Sequence, residues 1–224
     1  IYLDTSGGSL HRRGYRRHAV DAPMQETLAA SIVYLSGWNG ETPLYDPMCG
    51  SGTLLCEALM HYCRVPAGYL RPAFGFEYLP DFDRDVWAGV KEQADRDIRD
   101  LPQGLISGSD SSGEAVASAR SNSCRLPGGK NIAYAKKRFQ DIERIESSTI
   151  ITNPPYGIRL SRKQDMGAFM KELGDFLKKK CTGSKAYVYF GDRGLIKSVG
   201  LRTSWKRPLK NGPLDGRLAK YEMY

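Results

Sequence analysis

The chain is poor in the residues that build metal and redox sites. It has three histidines and five cysteines, and no two cysteines stand in a Cys-x-x-Cys pair. Cys49, Cys56 and Cys63 recur at a heptad spacing that puts the last two on one helix face, but only His61 is near. A closed metal site wants about four ligands, so no metal is expected and the thiols are read as free and buried. No apolar run is long enough to cross a membrane and no signal peptide is visible, so a cytoplasmic protein is expected. No repeat, low-complexity tract or linker appears. The chain has a Gly-x-Gly turn, but Gly-Lys-Ser/Thr does not follow it and the third glycine of the dinucleotide fingerprint is missing. Neither a P-loop nor a nicotinamide-type site is therefore expected.

What is present fits one domain with a sizeable core, in 224 residues. Lys and Arg number 33 against 25 Asp and Glu, a formal charge of +8. That balance suits a polyanionic partner without proving one. His11-Arg12-Arg13-Gly14-Tyr15-Arg16-Arg17-His18 is densely basic, and Arg16 is the member best read as a structural tie to the sheet. Arg202, Lys206, Arg207 and Lys210 cluster late and read equally well as solvated surface.

The most informative segment is Ile150-Ile151-Thr152-Asn153-Pro154-Pro155-Tyr156-Gly157. The apolar run reads as a buried strand, and the prolines end it abruptly. Asn153 offers an amide oxygen as acceptor, Pro154 its carbonyl oxygen and Tyr156 a flat face for stacking. These groups suit a planar base with an exocyclic amine, although Asn-Pro also begins ordinary turns. Arg159, Arg162 and Lys163 follow closely enough to meet phosphates beside such a base. Upstream, Leu44-Tyr45-Asp46-Pro47-Met48-Cys49-Gly50-Ser51-Gly52-Thr53 reads as a strand ending in an acid, a glycine turn and an apolar helix over about 52–63. Such a turn allows close backbone approach, and the helix start offers its free amides.

Together these motifs give the chain its resemblance to Rossmann-like, S-adenosylmethionine-dependent methyltransferases of exocyclic amines. Within that group it is similar to bacterial RNA N2-guanosine methyltransferases that carry an N-terminal THUMP domain. Gly14-Tyr15-Arg16, Ala22-Pro23-Met24-Gln25-Glu26-Thr27-Leu28 and Asn211-Gly212-Pro213-Leu214-Asp215-Gly216-Arg217-Leu218 extend the likeness over nearly the whole length. The resemblance implies RNA, ribosomal above all, as the partner. An adenine-N6 enzyme on DNA or RNA and a transfer-RNA enzyme remain alternatives, because Asn-Pro-Pro-Tyr serves both amines. A binding module without catalysis is disfavoured because both motifs are intact. The THUMP domain is not in this sequence, and Ile1-Tyr2-Leu3-Asp4 reads like the middle of a longer protein.

The resemblance also implies roles. Asp46, Pro47 and the turn Cys49, Gly50, Ser51, Gly52 and Thr53 would hold the methionine end of the cofactor. Asp110 would accept from the ribose hydroxyls, and Asp141, with Gln140 beside it, from the adenine amine. Each aspartate also reads as a turn or helix cap. Glu26 and Thr27 would lie near the cofactor. Asn153, Pro154, Pro155 and Tyr156 would position the acceptor amine, with S-adenosylhomocysteine left as product.

The rest of the chain reads as an α/β sheet with right-handed crossovers. Strands are expected at about 43–46, 104–110, 132–139, 148–152, 185–190, 203–209 and 218–224, the family adding an antiparallel final strand. Helices are expected from Pro23 to Gly37 and over 114–122, and from Met166 to a run of three lysines that suits a helix C-terminus. The N-terminal segment, 1–40, opens with a short strand and a basic loop. Residues 64–103 form an aromatic insertion, with Phe82, Val86, Val90, Ala94 and Ile98 spaced as one helix face. Its rings are read first as packing and second as an RNA contact.

Overall fold

The computed structural model describes residues 2–17, 24–155, 163–212 and 214–224. Its helices are α1 (Glu26–Ser36), α2 (Thr53–Cys63), α3 (Arg84–Arg96), α4 (Gly113–Ser123) and α5 (Lys163–Lys180). Its strands are β1 (Leu44–Asp46), β2 (Ile106–Asp110), β3 (Ala133–Lys136), β4 (Thr149–Thr152), β5 (Lys185–Phe190), β6 (Trp205–Pro208) and β7 (Arg217–Glu222). The strands form one sheet in the order β3-β2-β1-β4-β5-β7-β6. β3, β2, β1, β4 and β5 run parallel, and β7 pairs antiparallel with both β5 and β6. This is the expected Rossmann-like sheet with an antiparallel closure.

The central strands β4 and β5 are buried on both faces, as strands of parallel sheets are, while the edge strands β3 and β6 are mostly exposed. Alternation sorts neighbouring residues between two cores. Ile151, Tyr187 and Tyr189 pack with Leu28 and Ile32 of α1 and Leu55 and Leu59 of α2. Ile150, Ala186, Val188 and Phe190 pack with Met170, Leu173 and Leu177 of α5. Lys180, last of the three lysines, donates to the carbonyls of Gln140 (3.1 Å) and Ile142 (2.8 Å), so its charge is used within the fold.

The N-terminal segment departs from expectation, because the described residues 2–17 hold no strand. Asp4 turns the chain by accepting from the amide (2.8 Å) and hydroxyl (2.6 Å) of Ser6, and Gly7 and Gly8 follow at positive φ. The basic stretch beyond is partly internal. Tyr15 is fully buried and donates to Glu57 at 2.9 Å, and Arg13 lies 3.5 Å from the same carboxylate. Burial lifts the Glu57 carboxyl to about 7 despite both partners. Arg16 donates to the Met24 carbonyl (2.6 Å) and the Thr53 hydroxyl (3.0 Å), so its structural tie runs to the starts of α1 and α2 and not to the sheet. The helix opening expected at Pro23 lies outside the described residues.

The insertion joins the main core through Val65 and Leu101 and ties to the N-terminal segment through Arg71, while its rings pack on one another. Phe74 stacks on Phe76 at 5.3 Å, and Trp87 meets both rings edge-on at 5.6 and 4.9 Å. Asp83 caps α3 by accepting from the amides of Asp85 and Val86. The four-residue spacing gives the expected helix, although its face is not buried. α3 has no buried residue, and Val86 and Val90 are 64% and 52% exposed. Cys49, Cys56, Cys63 and Cys181 are buried, whereas Cys124, the C-cap of α4, is exposed and corrects the reading of all five thiols as buried.

Candidate active site

Chain order reverses at β1, whose neighbours are β2 on one side and β4 on the other. A parallel sheet opens a crevice at such a reversal, beyond the C-terminal strand ends. The β1–β4 ladder pairs Leu44 with Thr149 and Tyr45 with Ile150 and goes no further. A cavity of about 390 Å³ opens beyond it, a size that suits a small-molecule site.

Most of the residues singled out in the sequence meet in this cavity. Asp46, Pro47, Cys49, Gly50, Ser51 and Thr53 line it from the glycine turn. Asp110 lines it from the end of β2, Gln140 from beyond β3, and Asn153, Pro154 and Pro155 from the corner after β4. Tyr156, Arg159 and Arg162 lie outside the described residues, as does the Lys163 side chain.

Other candidates stand elsewhere. Asp141 does not line the cavity. Its carboxylate is held at 2.9 and 3.0 Å by Arg138, whose hydrogen bonds and charge keep it below the usual carboxylate range. Glu26 is buried 3.8 Å from Arg16, and Thr27 is exposed. Gly52 lies behind the turn, where it serves packing. It sits at φ 81°, and a Cβ there would stand 2.9 Å from that of Ala119. The residues missed by the sequence reading are mostly apolar walls, namely Met24, Met48, Leu54, Phe139 and Phe169. Phe139 meets Phe169 edge-on at 5.4 Å. An aromatic at a strand's end, two residues before Asp141, was the available signal.

The turn is braced from several sides. The Cys49 amide donates to the Ser109 carbonyl at 2.9 Å, and Gly50 donates to Asp110 Oδ2 at 2.9 Å. Asn122, buried in α4, donates to the Ser51 carbonyl at 3.1 Å. Asp46 Oδ1 accepts from the Met48 amide at 3.0 Å and the Thr152 hydroxyl at 2.8 Å. Burial lifts the Asp46 carboxyl to about 7; those two donors oppose the rise and the Asp110 charge adds to it. Burial, with Asp46 and Asp110 near, pushes the Cys49 thiol far up as well, so it is no ready nucleophile.

The corner carries the least satisfied group of the site. Asn153 Oδ1 is shut off from solvent and has no hydrogen-bond partner among the described residues. A buried amide oxygen left unpaired costs about 1–3 kcal/mol. Asn153 itself is among the residues that line the cavity. The site thus presents hydrogen-bond acceptors without an activated nucleophile, and no metal-binding cluster occurs among the described residues.

Known proteins fall in line with this arrangement. The family model described as RMKL-like, methyltransferase domain, matches residues 13–220. The chain belongs to that family. It is 42% identical over its full length to a protein of Synechocystis sp. provisionally named an RNA methyltransferase, and spans 59% of it. It is 38% identical, again over its full length, to the ribosomal RNA large subunit methyltransferase K/L of Psychromonas ingrahamii, and spans 30% of that protein. Among solved structures, 99% of the chain superposes with a TM-score of 0.89 on 58% of SMU.472, a provisionally assigned methyltransferase complexed with SAH, at 32% identity. The chain therefore spans roughly a third to three fifths of these proteins' own lengths.

Proposed function

We propose that the chain is one S-adenosylmethionine-dependent methyltransferase domain acting on the N2 amine of a guanosine in RNA, 23S ribosomal RNA above all. The segment 1–40 and the insertion at about 64–103 belong to that domain. The observation that carries the reading is one cavity lined by Asp46, Asp110 and Asn153, whose Oδ1 has no hydrogen-bond partner among the described residues. The names of the relatives support RNA over other amine substrates. Their greater length leaves room for the THUMP domain that the resemblance implies. Ribosomal RNA as substrate places the work in the cytoplasm; no helix among the described residues is long and apolar enough to cross a membrane.

The cavity's residues fit the donor. Asp110 would take the ribose hydroxyls, since a carboxylate accepts two donors at once. Asp46 and the turn from Cys49 to Thr53 would hold the methionine end. Phe139, Gln140 and Phe169 are the walls available to a planar base. Gln140, and not Asp141, lines the cavity and would meet the adenine amine. S-adenosylmethionine supplies a methyl group already activated on a sulfonium, so no protein nucleophile is required.

The protein's work falls on the acceptor. The guanine N2 lone pair is delocalised into the ring. Asn153 Oδ1 and the Pro154 carbonyl would accept from the amine, aim its lone pair and stabilise the charge that develops on nitrogen. Positioning alone supplies up to about 7–11 kcal/mol in well-oriented systems. A guanosine within a helix must first leave its stack.

Mass spectrometry of nucleosides from ribosomal and transfer RNA, in cells with and without the gene, tests the reading. Loss of N2-methylguanosine from ribosomal RNA is expected. An unchanged level in both pools overturns it, and loss of N6-methyladenine instead would move the target to adenine.

A further inference from the structure

The crevice between β1 and β4 has no backbone ladder across its mouth. The ladder ends at Tyr45 and Ile150. Asp46 lies one residue beyond that point on β1, and Thr152 two residues beyond it on β4. Both are buried, Thr152 completely and Asp46 to within 1%. The Thr152 hydroxyl donates to Asp46 Oδ1 at 2.8 Å and so closes the two strand ends where the backbone no longer does.

We propose that Thr152 is a positioning residue that fixes the distance between the turn that holds the cofactor and the corner that holds the acceptor amine. The proposal rests on the methyltransferase reading above. Two features of the geometry carry it. The first is the division of labour on Asp46. Oδ1 takes both protein donors, the Met48 amide and the Thr152 hydroxyl, while Oδ2 receives no hydrogen bond among the described residues. Asp46 also lines the cavity, so the bracing of one oxygen leaves the other for a ligand. The second is sequence adjacency. Thr152 is directly followed by Asn153, whose Oδ1 has no hydrogen-bond partner among the described residues. A shift of Thr152 moves Asn153 with it, and a misplacement of about 1 Å between reacting groups costs on the order of a hundredfold in rate.

The same bond acts on charge. The titratable groups facing Asp46 are Asp110 from the end of β2, the Cys49 thiol from the turn and the Tyr45 phenol beside it on β1. Asp110 disfavours a second negative charge, and the Thr152 donor is one of two that oppose the effect. Loss of the hydroxyl therefore moves Asp46 protonation to higher pH, where it competes with binding of a cationic ligand.

Thr152→Val keeps the side chain's size and removes the donor, and Thr152→Ser keeps the donor. S-adenosylmethionine dissociation constants measured by calorimetry from about pH 6 to about pH 9 read the cofactor side, and single-turnover transfer to RNA reads the acceptor side. For Thr152→Val, affinity near pH 9 is expected within about threefold of wild type. The pH below which binding weakens is expected to rise by about one unit. The transfer rate is expected to fall by at least about tenfold. Thr152→Ser should restore both. A valine variant with unchanged pH midpoint and rate overturns the proposal, as does a folded serine variant no better than valine. If wild type binds S-adenosylmethionine but methylates no RNA guanosine, the substrate reading fails. A shifted midpoint in the valine variant would still support Thr152 as the brace of Asp46.

Discussion

Asp110 Oδ2 accepts the amide of Gly50 at 2.9 Å, tying the end of β2 to the glycine turn after β1. Its other oxygen accepts from the Ser112 amide at 2.9 Å, a turn just ahead of α4, whose cap is the Ser112 hydroxyl. One carboxylate thus shapes two turns and borders the cavity. Of the two readings given by the sequence, the turn is observed, and the ligand role remains part of the proposal.

Asp110→Asn is expected to weaken S-adenosylmethionine binding by about ten- to a hundredfold, as loss of a charged acceptor does. The asparagine keeps only one of the two oxygens that accept the Gly50 and Ser112 amides, so the thermal midpoint should fall as well, by the loss of about one hydrogen bond. Calorimetry and a melting curve separate the two effects. Asp141→Ala is the contrast. Its pair with Arg138 is exposed, and affinity should stay within about twofold.

Asn153→Ala should lower transfer by about a hundred- to a thousandfold, the usual loss for a donor or acceptor that serves the transition state. Cofactor affinity should hardly change, because Asn153 is assigned to the amine. Single-turnover rates and calorimetry on one preparation check this. Equal loss in both would move Asn153 to the cofactor.

Asp46→Asn should stabilise the fold at alkaline pH while harming cofactor binding. Burial raises the Asp46 carboxyl from 3.8 to about 7 in the folded chain. Stability from a raised group is fully present below the unfolded value and is lost as pH rises through the folded one. The amide has no such loss and still accepts from Met48 and Thr152. The variant's advantage should therefore grow from about pH 4 to about pH 7 and level off above that. It should reach the order of 2 kcal/mol, or roughly 4–8 °C in melting temperature. A difference independent of pH would contradict a buried carboxyl titrating near neutrality.

Gly52→Ala tests the turn without touching a cavity wall. The left-handed φ and the 2.9 Å approach to the Ala119 Cβ together should cost about 1–3 kcal/mol, read as a lower melting midpoint.

Much of this was legible in the sequence because the relevant patterns are local. Strand, acid and glycine turn fall within ten residues, and the prolines at 154 and 155 mark where β4 must stop. β5 lies where its apolar run predicts. The rest depends on contacts between distant segments. Thr152 reaches Asp46, and Asn122 reaches Ser51, across gaps that no periodicity records. Asp141 looked like Asp110, an acid after a strand, but Arg138 three residues earlier claims it. The spacing of Val86 and Val90 predicted a helix correctly and left its surroundings open, because periodicity says which residues share a face but not what the face meets.

That bare face has a kinetic consequence. With no side chain of α3 buried, the helix is held by its Asp83 cap and by the ring cluster around Trp87, not by the main core. It can therefore open without the sheet opening, at a fraction of the free energy of global unfolding. Amide protons of residues 84–96 should exchange with deuterium well before those of β4 and β5. A protease that cleaves there would nick the chain while the crevice between β1 and β4 stays closed by Thr152 and Asp46.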